Sequence, residues 1–318
     1  MSKILLIGAG FSRNWGGLLA NEVRSHLVSK LEKNYFLINL LHRSNGFESA
    51  FEELRLSYDN NPSKENFENI EFFQNALKEV FQNMNQAFAK RGQINFSQDR
   101  KFSIVKFLSQ FDAIFSLNQD LLLELLYIEH IALEAPGKWN GFYFPGLKPN
   151  ANWRSDILNS QWFVDKNFDI QPYQQPIYKL HGSINWFESQ GDRLHPLMVI
   201  GENKLKKIAG HEVLRFNNGL FFKTLIEPKT KLMIIGYGFK DTHINKFITD
   251  AYELNKFSVH MMHPEGRDYL RKINKTANAI YVPEPIEQIP IIDYMRPISE
   301  IFAGDEIELN RLNDFFCD

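Results

Sequence analysis

Four short groups of residues combine glycines or polar side chains with a position just after an apolar run. They are Gly8-Ala9-Gly10-Phe11-Ser12-Arg13, Asn118-Gln119-Asp120, Leu180-His181-Gly182-Ser183 and Gly236-Tyr237-Gly238-Phe239-Lys240-Asp241. Glycines let a backbone turn tightly and approach a phosphate closely, and a histidine can take a proton from a hydroxyl group or water. The groups therefore indicate a site that could bind an anionic ligand and move a proton.

The first group follows the apolar run Lys3–Ile7 but does not match the dinucleotide fingerprint G-x-G-x-x-G, because residue 13 is arginine. A turn of this kind can also close a strand without any ligand. The hydroxyl of Ser12 and the guanidinium of Arg13 both suit phosphate oxygens, which favours an anion.

The other groups also have structural interpretations. Spacing alone favours Asp120 as the cap of a following helix, with Asn118 in the turn. A single histidine such as His181 is more often structural than catalytic, although its position after a predicted strand beside a glycine favours a role in a site. In the fourth group, Asp241 is predicted to cap a helix, and Gly236 can serve packing only.

Composition excludes several classes of function. The 318 residues carry a net charge of −2 and contain no long block of one sign, which argues against binding to nucleic acid or to a membrane surface. The single cysteine, Cys317, can form neither an intrachain disulfide nor a Cys-x-x-Cys zinc site. No apolar run is long enough for a membrane span or a signal peptide. We therefore expect a soluble, cytoplasmic protein whose partners are small molecules or other proteins.

Apolar patterning supplies the elements that must position these groups. Strands are predicted at 3–7, 111–117, 177–180, 197–200, 231–235 and 257–262, and helices after Asp120 and at 212–225, 242–254 and 266–273. Two helical runs are predicted between residues 18 and 100, the second capped by Ser63. Strands alternating with helices indicate an α/β fold with a parallel sheet covered on both faces, and ligands of such sheets bind at the carboxyl ends of the strands.

The order and placement of the four groups resemble the sirtuin fold, and more narrowly the sirtuin-like NAD-hydrolysing domains of bacterial anti-phage defence systems. The resemblance extends from residue 3 to about residue 282. It implies a Rossmann-like sirtuin fold in which an α-helical insertion replaces the zinc module. The domains expected from it are an NAD-binding domain at 1–17 and 101–282, a helical insertion or lid at 18–100, and a tail at 283–318 packed on the core or at an oligomer interface.

The resemblance also implies roles for individual residues. Asn118 would position the attacking water or the nicotinamide ribose, Asp120 would hold the nicotinamide carboxamide, and His181 would act as a base. The residues expected to bind NAD are Gly8, Ala9, Gly10, Phe11, Ser12, Arg13, Gly236, Tyr237 and His263.

The activity implied by the resemblance is hydrolysis of NAD+ to nicotinamide and ADP-ribose by a toxic effector of abortive infection, with NAD as substrate and without a metal. The expected partners are further copies of the chain and a protein such as a HerA-type ATPase or a short Argonaute. The alternative is a non-catalytic subunit that binds NAD or ADP-ribose. Protein deacylation is the least favoured function, because the four-cysteine zinc module of deacylating sirtuins cannot form here.

Overall fold

The chain folds around a parallel sheet, seen in a computed structural model that describes residues 2–91, 95–127, 139–274 and 283–317. The strands in chain order are β1 (Lys3–Ile7), β2 (Ala113–Ser116), β3 (Phe142–Tyr143), β4 (Leu147–Pro149), β5 (Trp162–Val164), β6 (Gln175–Lys179), β7 (Gly182–Gln190), β8 (Arg193–Met198), β9 (Lys231–Ile235), β10 (Ser258–Met262) and β11 (Ile291–Tyr294). Seven of them form the central sheet in the order β11-β10-β9-β1-β2-β6-β3, and every pair in it is parallel. The predicted α/β class with a central parallel sheet is confirmed.

The helices lie between these strands and after the last of them. They are α1 (Ala9–Arg13), α2 (Ala20–Lys30), α3 (Tyr35–Arg43), α4 (Phe47–Asn60), α5 (Lys64–Lys90), α6 (Ile104–Leu108), α7 (122–127), α8 (Lys204–Ala209), α9 (Glu212–Leu225), α10 (Thr242–Asn255), α11 (Asp268–Asn274), α12 (Ile298–Gly304) and α13 (Glu306–Asn313). In the described part of the chain, none of them combines the length and the apolarity needed to span a bilayer.

Strand β1 shows why both faces of the sheet are covered. Its residues are apolar on both faces, as expected for a central parallel strand. Leu5 and Ile7 pack into one hydrophobic cluster, while Ile4 and Leu6 pack into a second cluster on the opposite face. The first cluster includes residues of α2 to α5, and the second includes residues of α9 and α10. The helices between residues 20 and 90 therefore extend one core of the sheet.

The helical run that ends this region begins as the sequence predicts. The hydroxyl of Ser63 accepts a hydrogen bond from the backbone N–H of Asn66, which satisfies one of the free donors of the first turn of α5. Along α5, buried positions such as Phe73, Leu77 and Met84 recur at helical spacing. Local sequence thus determines both the start and the buried face of this helix.

A second sheet has four strands in the order β4-β5-β7-β8, and it shows that the prediction for residues 197–200 was wrong. The segment predicted as a strand at 197–200 only overlaps the end of β8, and β8 pairs antiparallel with β7 instead of joining the central sheet. The first four residues of β8 are exposed, so they show no apolar run from which a strand could be recognised. The loop at Gly191, which has a φ of +61°, joins the two strands.

The tail also contributes more to the fold than the sequence predicts. Strand β11 pairs parallel with β10 and completes one edge of the central sheet, and helices α12 and α13 follow it. Residues 1, 282 and 318, which bound the predicted domains, lie outside the described residues. The division of the chain into domains therefore stays a prediction.

Candidate active site

Polar side chains gather where neighbouring strands of the central sheet end. Ser12 follows β1, Asn118 follows β2, and His181 follows β6, and these strands are adjacent. The register pairs Ile7 with Ser116 and Ser116 with Lys179. Asn118 and His181 therefore each lie two residues beyond a paired position, on strands about 4.8 Å apart. The carboxyl edge of the sheet, where α/β proteins bind their ligands, brings these segments together.

Ser12 joins two of the predicted catalytic residues. Its hydroxyl donates to Oδ2 of Asp120 at 2.7 Å and accepts a hydrogen bond from Nδ2 of Asn118 at 2.9 Å. All three side chains are buried. Because the hydroxyl uses its donor toward one neighbour and its acceptor toward the other, it fixes the orientation of the Asn118 amide. We call Ser12, Asn118 and Asp120, with the ion pair described next, the Ser12 cluster.

A buried ammonium group lies next to this arrangement. Nζ of Lys179 donates to the backbone carbonyl of Asp120 at 2.6 Å, to Oε1 of Glu124 at 2.7 Å and to the hydroxyl of Ser183 at 2.8 Å. Lys179 and Glu124 have side-chain exposures of 1% and 0%. Burial raises the pKa of Asp120 and of Glu124, and the charge of Lys179 opposes both shifts. One ammonium group thus supports two buried carboxyl groups.

His181 belongs to a second group of polar side chains. Its Nε2 lies 3.2 Å from Nε2 of His243, a residue of the first turn of α10, and both histidines are buried. Burial lowers the pKa of His181 to about 3; the charge of Asp241 opposes this shift, and the charge of Lys204 adds to it. The imidazole is therefore neutral at pH 7, so one of its nitrogens carries a lone pair that can accept a hydrogen bond from a bound hydroxyl group or water.

A chain of ion pairs connects the histidines to the helical insertion. Nζ of Lys204, at the start of α8, lies 2.7 Å from Oδ1 of Asp241 and 3.1 Å from Oε2 of Glu48 in α4. Burial would lower the pKa of Lys204, but Asp241 and Glu48 outweigh it and raise the pKa, so the ammonium stays charged. We call His181, His243, Asp241, Lys204 and Glu48 the histidine cluster.

Three residues of the histidine cluster are spaced as metal ligands could be. One ligand atom from each of His181, Asp241 and His243 lies within 4.8 Å of the other two. However, the ammonium of Lys204 already contacts the carboxylate of Asp241, and its positive charge would repel a divalent cation placed beside it. The cluster is therefore better described as a hydrogen-bonded pair of imidazoles next to an ion pair.

The glycines of the first and fourth sequence groups pack against each other. The backbone N–H of Gly10 donates to the carbonyl of Gly236 at 2.8 Å, and that of Gly8 donates to the carbonyl of Ile235 at 3.0 Å. A Cβ atom at Gly8 or Gly10 would lie 2.7 Å from the backbone of Gly236, which itself has a φ of +65°. The two segments approach so closely that only glycine fits at these positions, as expected if both groups serve packing. A contact between these glycines and a phosphate stays a prediction.

The remaining residues predicted to bind NAD contact different parts of the protein, and the contacts that the structure describes do not join them into one site. Ala9 is exposed, the ring of Phe11 is buried against Trp15, and Arg13 forms an exposed ion pair with Glu22. The hydroxyl of Tyr237 donates to the carbonyl of Asp241 at 3.0 Å. The ring of His263 stacks on Tyr269, with 4.0 Å between the ring centroids. Their roles toward NAD stay predictions.

The structure places the three predicted catalytic residues in two clusters. Asn118 and Asp120 are joined through Ser12, whereas His181 contacts His243. Asp120 also accepts a hydrogen bond from the backbone N–H of Leu122 at 3.1 Å, so the cap interpretation and the contact with Ser12 are both realised, one through each carboxylate oxygen. Among the described residues, no hydrogen bond joins Asn118 directly to His181.

Several residues of the two clusters were missed by sequence reasoning. Lys179 offered a signal, because a lysine at the end of an otherwise apolar strand requires a buried counter-charge. Glu124 offered one as well, because it interrupts the apolar run from Leu121 onward. Lys204 and Glu48 offered none, since each is one charged residue among many on an amphipathic helix. Asp241 precedes α10 as predicted, but its side chain makes no capping hydrogen bond and pairs with Lys204 instead.

A surface cavity of about 520 Å³ lies elsewhere, on the side of α9. It is lined by Phe168, Glu212, Arg215, Phe216, Gly219, Leu220 and Lys223. None of the predicted site residues lines it, so we do not connect it with the two clusters.

Comparison with known protein families gives one match. Residues 112–281 match the SIR2-like domain, and this segment is more than half of the chain. It includes Asn118, Asp120 and His181 and both histidine-cluster residues that follow β9, Asp241 and His243. A search of curated proteins found no match.

Proposed function

Because the chain belongs to the SIR2-like domain family, its function is related to NAD, and we propose that it hydrolyses NAD+ to nicotinamide and ADP-ribose. The observation that carries this proposal is the placement of an oriented amide, Asn118, and a neutral imidazole, His181, just beyond the ends of two adjacent strands of one sheet. An NAD-dependent hydrolase needs both kinds of group, one to orient the substrate and one to accept a proton.

The chemistry requires little from the protein beyond positioning. The bond between nicotinamide and ribose breaks with its electron pair leaving on the ring nitrogen, so the leaving group departs neutral and needs no acid. Positive charge develops on the sugar, as in glycoside hydrolysis. The oxygen of water bonds to the sugar carbon and gives up a proton to a base. Fixed dipoles and orientation therefore dominate the catalysis.

Each residue of the site has a role in this scheme. The amide of Asn118, held by Ser12, orients the nicotinamide ribose or the attacking water. His181 accepts the proton. The carboxyl of Asp120 lies beside Ser12 and is expected to hold the nicotinamide carboxamide. The neutral state of the imidazole at pH 7 and the fixed orientation of the amide support these roles.

The residues also support hydrolysis over deacylation. With one cysteine in the sequence, at position 317, the four-cysteine zinc module of deacylating sirtuins cannot form. Helices α2 to α5 follow the first turn instead. We therefore propose that water is the acceptor and that the reaction needs no zinc.

The test is to incubate the purified full chain with NAD+ and follow nicotinamide release by chromatography. We expect release by the wild type and a loss of about 10²–10⁴-fold in Asn118→Ala and His181→Ala. Asn185→Ala is a matched control, because Asn185 is also a buried asparagine bonded to a serine, Ser160, but lies in the second sheet. Wild-type rates in Asn118→Ala would refute the assignment.

The alternative is a regulatory or scaffold subunit that binds NAD or ADP-ribose without cleaving it. Titration calorimetry with both ligands distinguishes the two functions. Tight binding of NAD+ with no nicotinamide release, also after assembly with a partner protein, would favour the alternative. Binding together with release supports the hydrolase.

We propose that the hydrolase acts as a toxic effector in anti-phage defence, as a homo-oligomer or with a partner such as a HerA-type ATPase or a short Argonaute. The support is the resemblance of its motifs to defence-associated members of the family. The test compares bacteria carrying the wild-type chain or Asn118→Ala, with its neighbouring genes, during phage infection. We expect NAD+ depletion and fewer phage only with the wild type.

A further inference from the structure

The two imidazoles of the histidine cluster face each other through the same kind of nitrogen. Nε2 of His181 lies 3.2 Å from Nε2 of His243, and the ring planes are tilted by 49°. Both rings are buried, with exposures of 3% and 5%. At this separation one ring donates an N–H to the lone pair of the other.

This contact decides which nitrogen of His181 remains available. A neutral imidazole carries one N–H and one lone pair, and the tautomer is set by the partner of one nitrogen. Because Nε2 faces His243, Nδ1 is the nitrogen left for a substrate. No other hydrogen bond to the His181 ring is found among the residues that the structure describes. For Nδ1 to accept a proton, Nε2 must carry the ring N–H.

We propose that His243 is a positioning residue that accepts the Nε2–H of His181 and thereby makes Nδ1 of His181 the basic nitrogen. The inference rests on the proposed function for the identity of the substrate, but not for the contact itself. His243 must then be protonated at its own Nδ1. His243 touches His181, and it acts on the reaction only through the tautomer of that ring.

The surroundings of the pair fit this role. Asp241 lies two residues before His243, at the N-terminal boundary of α10, and its carboxylate has an oxygen within 4.8 Å of one ring nitrogen of each histidine. When His181 has taken a proton, this carboxylate is near enough to stabilise the resulting imidazolium. Lys204 of α8 holds this carboxylate in place, and Glu48 of α4 in turn pairs with Lys204. The arrangement therefore supports proton acceptance without a direct bond from Asp241 to either ring.

A bound metal is the competing explanation of the short separation. Two imidazole nitrogens on one tetrahedral zinc ion, each at about 2.0–2.1 Å, are also a little more than 3 Å apart. A metal would occupy both Nε2 lone pairs and leave no N–H between the rings. The ammonium of Lys204, which contacts Asp241, opposes the binding of a metal cation here. The two explanations also differ in whether a ring N–H lies between the two Nε2 nitrogens.

The experiment uses the full chain labelled with ¹⁵N at its nine histidines, with the His181 signals assigned by their loss in His181→Gln. Two-bond nitrogen–proton correlations report the tautomer without any catalytic turnover. We expect Nε2–H for His181 and Nδ1–H for His243. The opposite pair of tautomers would overturn the proposal, as would metal co-purifying with the wild type at one ion per chain and lost in His243→Phe.

Kinetics of two variants supply the second measurement. His243→Phe keeps a ring of similar size without nitrogen, and we expect kcat for NAD+ cleavage to fall by about 10²-fold or more with little change in KM. His243→Gln places an amide oxygen near the position of Nε2 and should restore most of kcat. An unchanged kcat in a folded His243→Phe, or no rescue by glutamine, would overturn the proposal.

A matched control separates this role from general loss of a buried histidine. His260→Gln removes another buried histidine of the same sheet, hydrogen-bonded to Tyr294 and Ser258, and should leave kcat unchanged. If the wild type released no nicotinamide, the proposed function would fail. The measured tautomers of His181 and His243 would still show whether His243 accepts the Nε2–H of His181. If His243→Phe did not fold, the wild-type spectrum would decide alone.

Discussion

The backbone of Gly10 contacts the backbone of Gly236 so closely that neither position has room for a side chain. The N–H of Gly10 donates to the Gly236 carbonyl at 2.8 Å, and a Cβ at Gly10 would lie 2.7 Å from Cα of Gly236. This contact joins the turn after β1 to the turn after β9. It therefore fixes the relative positions of Ser12, in α1 after β1, and Asp241, which follows the turn after β9.

Gly10→Ala tests this contact. We expect a loss of about 1–3 kcal/mol in the free energy of unfolding, because backbone atoms cannot move aside as a flexible side chain can. Urea denaturation measures it. Gly219→Ala is the control: Gly219 lies within α9 with no atom within 4 Å of an added Cβ, so alanine there should stabilise by about 0.5–1 kcal/mol. Equal effects at the two positions would contradict the argument.

Ser12→Ala tests the Ser12 cluster. The change leaves Nδ2 of Asn118 and Oδ2 of Asp120 without the hydroxyl that joins them. We expect kcat/KM for NAD+ to fall by roughly 10–100-fold, since an unpaired buried polar group costs about 1–3 kcal/mol. Ser109→Ala is the control, because Ser109 is also buried but bonds to a helix carbonyl away from the site. Equal kcat/KM in the two variants would show that Ser12 does not orient the amide.

Lys179→Met tests the buried ion pair. Removing the ammonium leaves Glu124 and Asp120 without their counter-charge, and we expect a loss of about 3–5 kcal/mol in the free energy of unfolding. Adding Glu124→Leu should recover part of it, giving a large coupling energy in a double-mutant cycle. For comparison, Lys246→Met breaks an exposed pair with Asp250 and should change stability by less than about 0.5 kcal/mol. Additive effects of Lys179→Met and Glu124→Leu would contradict the prediction.

The lowered pKa of His260 makes the free energy of unfolding depend on pH. Burial first, and then the charges of Lys231 and Arg311, lower the pKa of His260 from 6.5 to about 4. Between these two values the unfolded chain binds a proton that the folded chain does not, so stability is complete above pH 6.5 and falls as the pH drops toward 4. At pH 5 the loss from this group is about 2 kcal/mol.

The measurement compares the free energy of unfolding at pH 7 and pH 5 in the wild type and in His260→Gln. The glutamine variant should lose about 2 kcal/mol less between the two pH values than the wild type. An equal loss in both proteins would show that His260 does not titrate in this window.

Local sequence was sufficient for much of the fold. The apolar residues of β1 indicated a strand covered on both faces, and the helical spacing with Ser63 in front indicated α5 and its start. The predicted helix at 212–225 has the bounds of α9. Such features depend on residues a few positions apart, which the sequence displays directly. Only the last two residues of β8 were predicted as strand, because the first four are exposed, and β11 was missed because Asp293 interrupts its four-residue apolar run.

The sequence by itself determined the α/β class and the segments in which chemistry could lie, namely those that follow the strands. Tertiary structure alone decided which side chains meet. Ser12 and Asn118 are 106 residues apart, and His181 and His243 are 62 apart. Contacts over such separations depend on strand order, register and burial, which arise from the packing of the whole chain and leave no periodic signal near either residue.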